Sequence, residues 1–278
     1  MIRIGTSGYS FSDWRGTAYP KKLKSEEMLS YYEQELGFDC VEINSTYYAI
    51  LNERAYMSMA ENTGNTFEFT VKGYRGFTHD PFDGRLKENR PSREKALEHA
   101  RRFNETLEPL RKKNKLASLL LQFPVFFTPS RDHREYILAL KNVFAKTELA
   151  VEFRNSAWIS EETFGFLQEN RLIFCSVDEP ALPRLVPFVN RVTAQKAYFR
   201  LHGRNKEWFN APVSLRYDYS YSDEELEKFV PEIKKMNTGA KKSYVFFNNC
   251  HKGYAVKNAL TLKERLGISS ERRDLFSC

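Results

Sequence analysis

Along the chain, short apolar or β-branched runs alternate with longer stretches whose apolar positions recur every three or four residues. The short runs are IRIG (2–5), CVEIN (40–44), FEFTVK (67–72), ASLLLQF (117–123), LAVEFR (149–154), LIFCSVD (172–178), AYFRLH (197–202) and YVFFNN (244–249). The stretches between them carry helix punctuation. SEEMLSYYEQELG offers Ser25 as an N-cap and Gly37 as a stop. SREKALEHARRFNETLEPLRKKN is the longest, and SDEELEKFVPEIKKMN opens on an acidic first turn. The connection EPALPRLVPFVNRVTAQ is proline-rich, so only part of it is expected to be helical. Eight strands alternating with helices predict a parallel sheet. The turn after the first run reads GTSGYS, not G-x-G-x-x-G, which argues against an open dinucleotide-binding sheet. The count and the 278-residue length predict an α/β protein with a closed (β/α)8 TIM barrel, one domain over 1–278.

Strand alternation then sorts the polar residues. The apolar alternate set of each run is assigned to the helix layer and the other set to the barrel axis. This turns Glu42, Asn44, Lys72, Gln122, Glu152, Arg154, Arg200 and His202 inward, with Asn248 or Asn249 from the last run. In the sixth run Cys175 and Val177 are read as the outward set, which places Asp178 inside. All lie near the C-terminal ends of their strands, where barrel enzymes build their sites. The lower interior is expected to be packed with side chains. YFRLHGR (198–204) shows the pattern compactly, with Gly203 turning the chain away after His202 and Arg204 following it. Trp14, Trp158 and Trp208 all fall in loops that follow a strand, so a barrel gathers them on the same face as possible ligand platforms.

Composition bears on the setting more than on the fold. The formal charge of +7 permits an anionic partner without demanding one. No apolar run approaches the ~18 residues of a membrane span, and MIRIGTSG lacks the pattern of an export signal, so a cytoplasmic protein without membrane contact is expected. The four cysteines, Cys40, Cys175, Cys250 and Cys278, are far apart and have no zinc-like spacing; none is expected to be bridged.

The motifs TSGYS, VEINSTYY, FTVK, LQFP, VEFRNSAW, VDEP, YFRLHGR and YVFFNN, in this order, resemble the YecE-like family, a domain-of-unknown-function family, over about residues 2–266. The resemblance implies a TIM barrel similar in shape to those of endonuclease IV and xylose isomerase. It brings no activity. Endonuclease IV holds zinc with a histidine-rich set, and the matching strand ends here offer one histidine, His202. His79 and His251 lie in loops, and His99 and His133 in predicted helices. Likeness of shape is therefore not evidence of that chemistry.

The mouth is read as a site for a small anionic ligand bearing phosphate or carboxylate. Lys72, Arg154 and Arg200 form its floor, and Asn44, Gln122 and Asn248 line it. The turn holding Thr6 and Ser7 offers hydroxyl and N–H donors opposite. Arginine suits this role because its planar fork makes two parallel hydrogen bonds. Glu42, Glu152, Asp178 and His202 are the acid/base candidates for metal-free catalysis, phosphoester processing included. The alternative is a nucleic-acid-binding protein. No cofactor is predicted: a divalent metal would use Glu42, Glu152, Asp178 and His202, but Lys72, Arg154 and Arg200 on the same rim oppose a cation. A purely structural reading pairs Glu152 with Arg154 and Asp178 with Arg200. Arg200 is expected to face a solvated mouth, so that truncating it alters binding more than stability.

Overall fold

All eight apolar runs form strands in the computed structural model, which describes residues 1–207 and 216–268. They are β1 (Ile2–Thr6), β2 (Cys40–Ile43), β3 (Glu68–Lys72), β4 (Leu116–Gln122), β5 (Leu149–Glu152), β6 (Ile173–Asp178), β7 (Lys196–Leu201) and β8 (Lys242–Phe247). The strand pairs are parallel, in the order β1-β8-β7-β6-β5-β4-β3-β2, so each crossover joins neighbours and the sheet curls into a nearly closed barrel. Helices cover the outside. Ser92 and Ser222 cap Arg93–Thr106 and Asp223–Thr238, accepting from Lys95 N–H and Glu225 N–H. Ser25 is not a cap: it heads a 3₁₀ turn, and its hydroxyl accepts from Arg15. Residues 179–195 form no helix. With Pro180, Pro183 and Pro187 the segment runs irregularly, and its Val189 carbonyl and Thr193 hydroxyl bond to β6 instead.

Outward side chains such as Val41, Phe69, Leu121, Val151 and Phe199 make the apolar layer beneath the helices. The interior departs from the branched apolar filling usual in these barrels. At its N-terminal end Glu68 accepts from Lys242 and Tyr244, each at 2.7 Å, and pairs with Arg3 at 3.0 Å. Midway, the Tyr198 hydroxyl lies 2.8 Å from Thr70 Oγ1 and donates to Glu42 at 2.6 Å. Cys40, Cys175 and Cys250 are free and buried, whereas Cys278 lies outside the described residues. Among the described residues no helix is long and apolar enough to cross a membrane.

The barrel closes between β1 and β2, which are joined by the isolated bridge Ser7–Glu42. A side chain repairs much of the gap. The buried phenol of Tyr32, from the helix Met28–Gln34, accepts from Thr6 N–H at 2.9 Å and donates to the Cys40 carbonyl at 3.2 Å. Gly5 permits the approach, since a Cβ there would sit 2.3 Å from the Cys40 carbonyl oxygen. Tyr32→Phe should therefore cost about 1–3 kcal/mol, because it strands a buried N–H and a carbonyl. A denaturant midpoint reads the loss, and faster amide exchange at Thr6 places it at the seam. Unchanged stability would mean that the seam does not depend on the phenol.

Candidate functional site

Alternation along β7 puts Tyr198, Arg200 and His202 on the barrel axis, as the sequence predicts. Arg200 is fully buried and clamped between two fully buried carboxylates. Its Nη2 donates to Glu42 at 2.7 Å and its Nη1 to Glu152 at 2.6 Å. Weaker contacts reach Gln122 at 3.3 Å and Ser7 Oγ at 3.4 Å. Burial alone would push the Glu152 carboxyl up, but Arg200, then His202 and Arg154, hold it well below the usual carboxylate range. His202 Nδ1 accepts from the Asn248 amide at 2.9 Å, which leaves Nε2–H to donate to Glu152 at 3.2 Å. Burial, with Arg154 next, drives this imidazole down to about 3, so it is neutral. Of the two candidate asparagines, Asn248 faces in and also accepts from Asn44, while Asn249 bonds to Tyr219 and Asn258.

Above this floor lies a tier that reaches solvent. Lys72, Gln122, Arg154 and Asn248 keep 7–8% of their surface exposed, whereas Glu42, Glu152, Arg200 and His202 keep none. Arg154 donates to Glu179 at 2.5 Å and lies 3.4 Å from Glu152. The Lys72 amine stands 4.6 Å from the Tyr47 ring centroid, and it has no hydrogen-bond or ion-pair partner among the described residues. Burial, then the neighbouring Arg200, lowers it to about 7. The Tyr47 ring meets His79 edge-on, and His79 lies 3.4 Å from Gln122.

Several expectations need correction. In β6 the assigned phase is inverted. Cys175 Sγ points to Glu152 at 3.9 Å, whereas Ser176 and Asp178 face the helix layer. Asp178 accepts there from Arg204 at 2.8 Å and from Tyr221 at 2.7 Å, so neither Asp178 nor Arg204 belongs to the axial cluster and Asp178 does not pair with Arg200. Thr6 also faces outward, toward Tyr32, and its hydroxyl donates to Gly8. The N–H groups of Thr6 and Ser7 are already bonded to Tyr32 and to the Phe247 carbonyl, so neither of these two N–H groups is open to a ligand. Trp158 is fully buried in a stack with Phe127 and Phe153, and Trp14 is buried with its indole donating to the Cys250 carbonyl; neither is a ligand platform. Trp208 lies outside the described residues. Arg200 faces buried carboxylates, not a solvated mouth.

Glu179, Tyr47, His79 and Tyr198 join the site although none is among the candidate site residues read from the sequence. Phasing β6 on Cys175 would have exposed Glu179, and Tyr198 shares the alternate set of Arg200. Among the described residues no group of three or more His, Cys, Asp or Glu side chains is placed to hold a metal ion. Glu42 and Glu152 are already committed to Arg200, and Asp178 is elsewhere, so the donor set suggested for a divalent metal does not fit one. A cleft of about 530 Å³, lined by Glu68, Arg111, Lys146 and Lys196 among others, opens at the opposite end of the barrel, away from this chemistry.

Residues 3–275 match the model of a family described as protein of unknown function DUF72. The UPF0759 protein YunF of Bacillus subtilis (strain 168) is 32% identical, over 99% of this chain and 100% of its own length. A crystal structure of a DUF72 family protein from Thermotoga maritima MSB8 superposes with a TM-score of 0.87 at 42% identity, covering 96% of this chain and 99% of the other. One from Enterococcus faecalis V583 gives 0.81 at 28% identity, covering 97% and 96%.

The clamp makes a stability prediction opposite to the one the sequence invites. Arg200→Ala should destabilise by about 3–5 kcal/mol, because it leaves Glu42 buried without a cation and Glu152 with only the more distant Arg154. Adding Glu42→Gln and Glu152→Gln should recover much of the loss. The sign with pH is definite. In the wild type the depressed Glu152 group contributes stability above its unfolded range, and this is lost as pH falls through the folded value. In Arg200→Ala the Glu152 carboxyl loses the largest of the charges that depress it and its value moves up, so the deficit should shrink as pH falls toward 4. Urea denaturation at stepped pH reads both; a deficit independent of pH would reject the clamp.

Proposed function

We propose that this chain, which belongs to the DUF72 family, binds a small phosphate- or carboxylate-bearing anion at its barrel mouth, with Lys72 and Arg154 facing the ligand. The observation that carries this reading is the lone amine of Lys72. A buried ammonium without an acceptor is costly, and structural lysines avoid that state. Two other buried lysines in this fold do so: Lys115 donates to the Ala60 carbonyl at 2.6 Å and the Thr63 carbonyl at 2.8 Å, and Lys263 to the Gly37 carbonyl at 2.5 Å. Lys72 has no such acceptor among the described residues, and burial first, then Arg200, disfavour its proton, against the opposing pull of Glu152 and Glu42. Burial opposes a charge of either sign, but the positive potential of Arg200 and Arg154 favours an anion over a second cation there.

The roles follow from depth. Arg200 is framework: it holds Glu42 and Glu152 and, through Glu152, the neutral His202. Lys72 and Arg154 are the cations of the exposed tier, and the amides of Gln122, Asn44 and Asn248 line it. With Nδ1 accepting and Nε2–H donating, His202 is a poor proton shuttle. Lys72, near neutrality, is the better placed acid/base group.

Sulfate is a suitable probe because it does not titrate near neutral pH. An anion beside Lys72 raises its depressed value, so binding at pH 8 should take up close to one proton per site, and affinity should rise as pH falls from 9 toward 6. Calorimetry in two buffers of different ionisation enthalpy counts the proton, and Lys72→Met should remove both the proton and most of the affinity. Absence of binding, or binding without proton uptake, would reject the reading.

A further inference from the structure

We infer that Lys72 forms an imine with an aldehyde or ketone that carries a phosphate or carboxylate group. This rests on the anion reading above and adds a reaction to it. Three observations converge. Lys72 is the last residue of β3, and its backbone is pinned by the Thr46 hydroxyl, which donates to the Lys72 carbonyl at 2.6 Å. Its amine lies in the tier that reaches solvent, over the Tyr47 ring, and has no hydrogen-bond or ion-pair partner among the described residues. The carboxylates that would otherwise hold it as an ammonium are taken, Glu42 and Glu152 by Arg200 and Glu179 by Arg154. With the amine lowered to about 7, roughly half is unprotonated at neutral pH, against about one part in 2,500 for an ordinary lysine.

The step balances without a further reagent. The lone pair of Nζ attacks the carbonyl carbon, a C–N bond forms and the C=O π pair moves to oxygen. That oxygen then leaves as water with the two amine protons, giving the neutral imine, which solvent can protonate. The anionic group of the substrate offsets the positive charge that protonation would place beside Arg154 and Arg200.

Pyridoxal 5′-phosphate and glyoxylate, one large and one small anionic aldehyde, are the probes. At pH 7, with borohydride reduction for the first and cyanoborohydride for the second, peptide mapping should find Lys72 modified to one equivalent. The rate should be at least tenfold above that of any exposed lysine, and sulfate should slow it. Lys72→Arg, shown to be folded by circular dichroism, should lack the fast phase. Failure of both probes to single out Lys72, in protein that still binds sulfate with proton uptake, overturns the imine and leaves the anion site standing. Failure of sulfate binding as well removes the reading beneath both.

Discussion

The structure depends on one buried guanidinium. Arg200 lies on the barrel axis with Glu42 on one side and Glu152 on the other, all three fully removed from water. Such a triad is weak as a source of stability, because desolvation offsets most of its attraction, but it is unforgiving of a missing member. Its effect here is positional. Strands β2, β5 and β7 are tied together through side chains across the barrel, and the second oxygens of the two carboxylates fix Tyr198 and His202. By engaging the acids of the floor, the clamp also leaves the lysine above them without a counter-ion.

That arrangement divides the interior by depth. At the N-terminal end Glu68 gathers Arg3, Lys242 and Tyr244, and in the middle Tyr198 links Thr70 to Glu42. Each of these groups has a polar partner within the column. At the C-terminal end satisfaction runs out at Lys72, and Asn44 Oδ1 is also buried there without a partner. What separates this end from the rest of the column is a lysine without a carboxylate partner among the described residues, at the mouth of a barrel, where ligands bind.

Much of this is legible in the sequence where alternation is chemically marked. In YFRLHGR and VEIN the two faces differ sharply, so Arg200, His202, Glu42 and Asn44 can be turned inward from pattern alone. In IFCSVD they do not: Ile173, Phe174, Cys175 and Val177 are all buried and apolar. Parallel strands in a barrel are covered on both sides, which erases the period-two signal, and a phase error there moves Asp178 into the site and hides Glu179. The tryptophans fail for a different reason. Position in a loop after a strand locates Trp14 and Trp158 along the chain, but whether each ring faces a ligand or the fold depends on distant carbonyls, Cys250 for one and Phe127 for the other. The same holds for Tyr32, whose part in closing the barrel exists only once β1 and β2 have met.

The account turns on what the clamp does to Lys72, and the most direct measurement is the acidity of that amine. Protein carrying ¹³C at the lysine ε-carbons, titrated by NMR with Lys72→Arg to assign the signal, reports it without any ligand. The account predicts a midpoint of about 7, set by burial and by Arg200. A midpoint at or above the ordinary lysine value of roughly 10.4 would mean that Lys72 shares the carboxylates after all, and would contradict it.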